Sequence, residues 1–570
     1  MRSGSGLKRC RQTLVLVVAL FALSVASPGE APAQTSLPPG QGSNQVAIPT
    51  PAALQTLAAK KSTPKKPTPK KPTAKKKTVP KPTVTKASTT STTSTTVAGP
   101  TTTTSVPSTS TTPTATTTPT TLTTPPTVST VVPKLPTGPG VPAPAEANTI
   151  LPPTAPSTGT TIARRSLDPL GNLPANITPQ EYVDAVLGWT ESLTVRRKAV
   201  DLAALRSRVE AVTASATSTA QTYPALAAYL ALLGDGHSAL YTPNEARSLL
   251  EGRARGFGFS LIDGTVFPFA GSPAEVAGMR DRDRLVGVNG TPYVRGMRLS
   301  TIPDTATFDL IRTDPATLIE TPVSVTVTRG EVTTSLRPTA RQLPNSTGAD
   351  SRIGLVELPG STGSSADEDQ FIKAGLDAIR SVDVSPRCGW VLDLRRNSGG
   401  FGTSMLAGVS PLYGDGRIAG FIDAQEKVSW MSVKGTDVLI DGRVRASGKT
   451  SLTLGNQNAP IAILTSPATA SAGELAVIGF AGRGGVRVFG EPTVGVTSGN
   501  LGRSYPDGSF VAVTNVYDVD RLGRVYDGPL QPDELVRNDW SKYGLSTDPV
   551  IAAATGWLSN QPACSSFRAP

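Results

Sequence analysis

An α/β fold is predicted by three stretches in which a short apolar run of strand character gives way to a turn and then to apolar residues at helical spacing. Residues 353–358 precede a helix over 367–382, and 390–394 run through a glycine-rich turn into a helix over 403–412. Residues 461–464 pass through small polar residues into a helical face of Leu475, Val477, Ile478, Phe480 and Ala481. Strands alternating with helices imply βαβ units and a largely parallel sheet.

The N-terminus has a different character. Arg2, Lys8, Arg9 and Arg11 precede an apolar run over 14–26, and Ala31-Pro32-Ala33 offers a small-residue cleavage site, so residues 1–33 read as a secretory signal peptide. The run is shorter than the roughly 20 residues needed to cross a bilayer. Cys10 lies before it, which argues against a lipoprotein.

Residues 34–165 are rich in Pro, Thr, Ser and Ala and poor in large apolar side chains, the composition of a disordered stalk. Eleven lysines lie between Lys60 and Lys86, and no acid occurs between Glu30 and Glu146. Residues 1–165 carry eighteen basic and two acidic residues, a net +16, which leaves −4 of the chain's +12 for the remainder. The basic character therefore belongs to leader and stalk. Such a stalk could adhere to anionic wall polymers or lipid headgroups, or simply act as a solubilising spacer. Nucleic acid is not expected as a partner, because the lysine-rich stretch, like all of 34–162, lacks aromatic residues and arginines for stacking.

The folded part opens with helices over 178–193, 200–214 and 224–233, forming a helical domain over 175–250. His237, the only histidine in the chain, follows in the glycine-flanked loop Gly234-Asp235-Gly236-His237-Ser238. A lone histidine is usually structural, yet an imidazole is also the usual general base. A β-rich segment over 255–340 comes next. It carries Arg255-Gly256-Phe257-Gly258-Phe259, then Ser272-Pro273-Ala274-Glu275-Val276-Ala277-Gly278, then Val288-Asn289-Gly290.

Over 350–560, two turns stand out. Asn397-Ser398-Gly399-Gly400 lets the backbone approach a ligand and direct an N–H at it. Thr469-Ala470-Ser471-Ala472-Gly473-Glu474 places Ser471 between strand end and helix start, where it serves either as a helix cap or as a nucleophile beside N–H groups.

These stretches together resemble the C-terminal-processing (tail-specific) serine peptidase family, in its tricorn-like Ser-His branch. Leu392-Asp393-Leu394-Arg395-Arg396-Asn397-Ser398-Gly399-Gly400, Thr469 through Glu474, and Gly490-Glu491-Pro492-Thr493-Val494-Gly495 match the family in order and spacing over roughly 175–550. The lysine of the Ser-Lys branch would follow Gly495; Val496 stands there, which leaves His237 as base. The resemblance implies a crotonase-like ββα spiral core with an inserted PDZ-like domain. It also implies Ser471 as nucleophile, and an oxyanion hole from the N–H of Ala472 with that of Gly399 or Gly400. The 255–340 segment resembles a PDZ domain, in which Phe257, Gly258 and Phe259 would receive the C-terminal carboxylate of a protein or peptide substrate. An acid should orient the imidazole, and here the sequence departs from the family. Asp527 is the expected residue, with Asp235 and Glu534 behind it, and Gly236 replaces the serine that precedes the histidine in the branch. Glu474 reads as a charge complementing the helix dipole.

No cofactor or metal is expected, since one histidine and the two cysteines beyond the leader make no usual zinc site. Cys388 and Cys564 either pair in an oxidising compartment or remain thiols. The alternative to a secreted peptidase is a catalytically inactive secreted scaffold that binds peptides on the same fold.

Overall fold

The structure, a computed structural model, describes residues 133–136, 145–152, 171–295, 297, 299–344 and 350–567. The expected signal segment and the lysine-rich part of the stalk lie outside the described residues. Two pieces of the 34–165 segment do not follow the expectation of disorder. Leu135 packs against the cluster of Val195, Ile422, Tyr517 and Val519, and the helix Ala145–Ile150 places Ala147, with Leu151 just beyond it, in the core of the helical domain. Isolated apolar residues in a Pro/Thr-rich context supply these anchors, and average composition hides them.

Three α-helices follow between residues 179 and 231. Helix Pro179–Leu193 starts with reciprocal capping, Thr178 Oγ1 accepting from the Glu181 N–H while the Glu181 carboxylate accepts from the Thr178 N–H. Leu202–Thr213 and Tyr223–Ala231 pack against it around Val186, Leu187, Leu226 and Tyr229. The chain then passes His237 into the strand Ala239–Tyr241, which pairs antiparallel with Phe510–Asp520 in the register Ala239↔Ala512. That pairing carries the histidine loop onto the C-terminal half of the chain.

The parallel sheet is present: Asp350–Glu357, Gly389–Asp393, Ile461–Thr465, Val486–Gly490 and Glu534–Leu535 run in parallel, with Thr339–Pro344 antiparallel at one edge. Its central strands are buried on both faces, which accounts for their unbroken apolar sequence. The expectation of a largely parallel architecture holds for this sheet alone. A second sheet, seven-stranded among the described residues, is wholly antiparallel; it runs from Ala239–Tyr241 through Phe510–Asp520 and Gly416–Asp423 to Arg443–Ser447, with Ser498–Ser504 also on Phe510–Asp520. Helices Ser365–Val382, Gly402–Gly408 and Ala472–Ile478 share one apolar core with both sheets, centred on Trp390, Leu392, Met405, Leu406 and Ile463.

Residues between the paired strands Arg253–Gly256 and Gly330–Thr333 form an insert. It is an antiparallel sheet in the order Phe259–Ile262, Thr265–Pro268, Asp283–Val288, Thr305–Thr313, Glu320–Thr328, around Phe257 and Phe308. Phe267 of the insert packs on Trp540 and Tyr543 of the C-terminal half.

Cys388 and Cys564 are joined in a disulfide that closes 176 residues of sequence and ties the C-terminal segment to the start of Gly389–Asp393. Reduction, or Cys388→Ser, is expected to cost about 2–4 kcal/mol. Urea unfolding with and without reductant measures it; superimposable curves would show that the bond does not constrain the fold.

Candidate active site

The turn after Gly389–Asp393 is built by Asn397. Its Nδ2 donates to the carbonyls of Leu358 and Pro359, its Oδ1 accepts from the Gly399 N–H at 2.9 Å, and its own carbonyl accepts from the Ala470 N–H at 3.0 Å. Thr469 Oγ1 donates to the Leu394 carbonyl and Ser466 Oγ to that of Arg395. The glycine turn and the serine turn are thereby locked together. Arg395, clamped between Asp393 and Asp548, fixes the base of both.

Gly399 and Gly400 have φ of +100° and +122°. A Cβ on Gly399 would lie 3.3 Å from Ser471 Oγ, and one on Gly400 would collide with the Ser361 carbonyl oxygen at 1.8 Å. Only glycine fits either place. The Gly399 N–H is spent on Asn397, whereas the N–H groups of Gly400 and Ala472 have no hydrogen-bond partner among the described residues.

Ser471 opens the helix Ala472–Ile478 with φ +59° and ψ −118°, a conformation that costs a non-glycine residue on the order of 1–3 kcal/mol. Its Oγ lies 3.0 Å from His237 Nε2, across 234 residues of sequence, and each of the two residues is 1% exposed. His237 is held through its backbone: Asp235 Oδ1 accepts its N–H at 2.9 Å and Asn500 Nδ2 donates to its carbonyl at 3.0 Å. The second ring nitrogen, Nδ1, is 2.8 Å from Ser498 Oγ.

Asp527, expected on that nitrogen, is not there. It lies exposed on the loop after Phe510–Asp520, where partial desolvation raises its carboxyl against the opposing charge of Arg196, and it lines a cleft of about 400 Å³ with Lys134 and Pro136. The position beside Nδ1 is taken by the Ser498 hydroxyl instead. Asp235 serves the backbone: it also accepts from the Ser238 N–H and hydroxyl. Glu534 is ion-paired with Arg487 at the far edge of the parallel sheet.

Glu474 does more than face a helix dipole. Fully buried, it accepts from the N–H of Ser471, Gly495 and Val496 and from the Thr493 hydroxyl. Burial pushes its carboxyl up to about 7 against these donors. Nearby Asp518, whose carboxylate oxygens lack partners among the described residues, is raised well above its ordinary value by burial and then by Glu474.

Burial alone lowers the imidazole from its ordinary 6.5 to about 3, so it rests as a neutral base. The unfolded chain binds a proton at 6.5 that the folded chain refuses. Stability present above that pH is therefore lost as pH falls toward the folded value, by at most about 1.4 kcal/mol per unit. Any advantage of wild type over His237→Asn in urea unfolding should shrink between about pH 6.5 and about pH 4. The raised carboxyls of Asp235 and Asp518 are common to both proteins and cancel. A constant difference would contradict a ring held neutral.

Phe257, Gly258 and Phe259 lie in the insert, away from this cluster. The Phe257 ring is in the insert's core under Arg329, Gly258 has φ +90°, and Phe259 begins the strand at the open edge of the sheet. Among the described residues no group of His, Cys, Asp and Glu is arranged to hold a metal ion.

Residues 352–536 match peptidase family S41. The nisin-resistance protein of Lactococcus lactis subsp. lactis is 26% identical over 213 residues, 37% of this chain and 60% of that protein, so the chain spans less than two thirds of it. A carboxyl-terminal-processing protease of Picosynechococcus is 27% identical over 419 residues, 67% of this chain and 87% of that protein. The chloroplastic carboxyl-terminal-processing peptidase 2 of Arabidopsis thaliana is 26% identical over 361 residues, 58% and 64% of the two chains. The residues that match peptidase family S41 include Asn397, Gly400, Ser471 and Ser498.

Proposed function

We propose that the chain is an extracytoplasmic serine endopeptidase of the C-terminal-processing type, with Ser471 as nucleophile and His237 as base. The observation that carries this reading is the 3.0 Å contact between Ser471 Oγ and His237 Nε2. As Ser471 Oγ attacks the scissile carbonyl carbon, its proton passes to Nε2. The carbonyl π electrons move onto the oxygen, which the N–H groups of Gly400 and Ala472 face, each donor being worth about 10²–10³ in rate. When the tetrahedral intermediate collapses, the C–N bond breaks and the proton on Nε2 goes to the leaving amine. Water then repeats the sequence on the acyl-enzyme.

The insert is read as a PDZ-like domain on a crotonase-like core, taking a substrate C-terminus along the open edge strand Phe259–Ile262 with its carboxylate at the Phe257-Gly258-Phe259 loop. An extracytoplasmic location is favoured by the leader-like N-terminus and by the Cys388–Cys564 disulfide. The lysine-rich stalk would hold the enzyme at an anionic surface. The inactive scaffold is the second reading, favoured by the burial of both Ser471 and His237, which obliges the covering elements to move before substrate enters.

Carboxymethylated casein supplies unfolded chains with free C-termini. Its cleavage by the full chain, absent in Ser471→Ala of equal thermal stability, is the expected result; intact casein with folded wild type across a range of pH would favour the scaffold.

A further inference from the structure

A neutral imidazole has one N–H and one lone pair, so its two hydroxyl neighbours cannot play the same part. If Ser471 is to give up its proton, Nε2 must carry the lone pair, which leaves the N–H on Nδ1, directed at Ser498 Oγ 2.8 Å away. We propose that Ser498 is the positioning residue of this site: a neutral hydroxyl, in place of a carboxylate, fixes the His237 tautomer that leaves Nε2 free to act as base. The inference rests on the reading of Ser471 and His237 as the catalytic pair.

Two further observations support it. The three carboxylates expected from sequence are engaged elsewhere, Asp235 on backbone N–H groups and the Ser238 hydroxyl, Asp527 on the outer loop, Glu534 with Arg487. Ser498 also belongs to a strand that contacts the histidine twice. It is buried at the start of Ser498–Ser504, opposite Tyr517, and Asn500 of the same strand binds the His237 carbonyl, so this strand grips the histidine at ring and backbone together. One oxygen of Glu474 accepts the N–H of Ser471 at 2.8 Å and that of Val496 at 2.9 Å. A closed ring results, from Ser471 through Glu474 to Val496, along the backbone to Ser498, through the imidazole and back to Ser471. Nucleophile and orienting hydroxyl are thereby referenced to a single carboxylate.

Because His237 is the only histidine, the full chain grown with nitrogen-labelled histidine gives the NMR signals of one ring, and its tautomer can be read without assignment. The wild type is expected to carry its proton on Nδ1. Ser498→Ala should shift the ring toward the Nε2–H form and lower kcat on casein by about 10- to 100-fold with KM less affected, and Ser498→Thr, which keeps the hydroxyl, should restore both. A wild-type ring protonated on Nε2, or a Ser498→Ala protein with unchanged tautomer and kcat, would overturn the proposal. Nδ1 protonation lost in Ser498→Ala, combined with casein cleavage that survives Ser471→Ala, would uphold the orienting contact and overturn the peptidase reading instead.

Discussion

Replacing Ser471 by alanine is expected to lower kcat for peptide-bond hydrolysis by about 10⁴–10⁶, and His237→Ala by a comparable factor, with the double variant no worse than either single one. In the proposed mechanism the nucleophile and its base act as a unit, so removing one leaves the other without a task. Truncation at 471 removes one hydroxyl from a turn held by the Asn397 carbonyl, Thr469 and Glu474, all of which remain. The fold should therefore survive, and calorimetry alongside the assay checks this. Activity persisting in folded Ser471→Ala would place the nucleophile elsewhere.

Gly400→Ala is expected to lower kcat by about 10²–10³ while KM changes little. The added methyl would sit 1.8 Å from the Ser361 carbonyl oxygen at a φ of +122°, so both sterics and backbone preference force the turn to move. The Phe401 N–H, which donates to that same carbonyl at 2.8 Å, would be displaced with it. The loss should fall on the transition state, because in the proposed mechanism the Gly400 N–H meets an oxygen that becomes charged only there. Steady-state kinetics on a peptide released from casein separates the two parameters; a change confined to KM would show that this N–H does not face the developing charge.

Sequence made part of this site legible and hid the rest for physical reasons. Ser471, Ala472 and the glycine pair lie in short turns whose chemistry is local: small residues where strand meets helix, and glycines where backbones cross. His237 could be picked out because it is alone. Ser498 could not, since serines are common and 261 residues separate it from the ring it touches. A carboxylate is the usual partner of such a nitrogen, which pointed to Asp527 and not to a hydroxyl. Glu474 shows the same limit. Its place at the start of a helix suggested a dipole contact, but its bonds to Gly495 and Val496 depend on a loop brought back by the parallel strand Val486–Gly490. The parallel sheet was readable from doubly buried apolar strands. In the antiparallel sheet, strands such as Arg443–Ser447 are largely exposed and carry no apolar run to mark them.

The most direct test of the central claim is covalent labelling of the full chain with a fluorophosphonate, the modified peptide being located by mass spectrometry. A single adduct on Ser471 is expected, absent in Ser471→Ala and strongly slowed in His237→Ala. Folded wild type that takes up no label after prolonged exposure, or carries it on another serine, would contradict the claim.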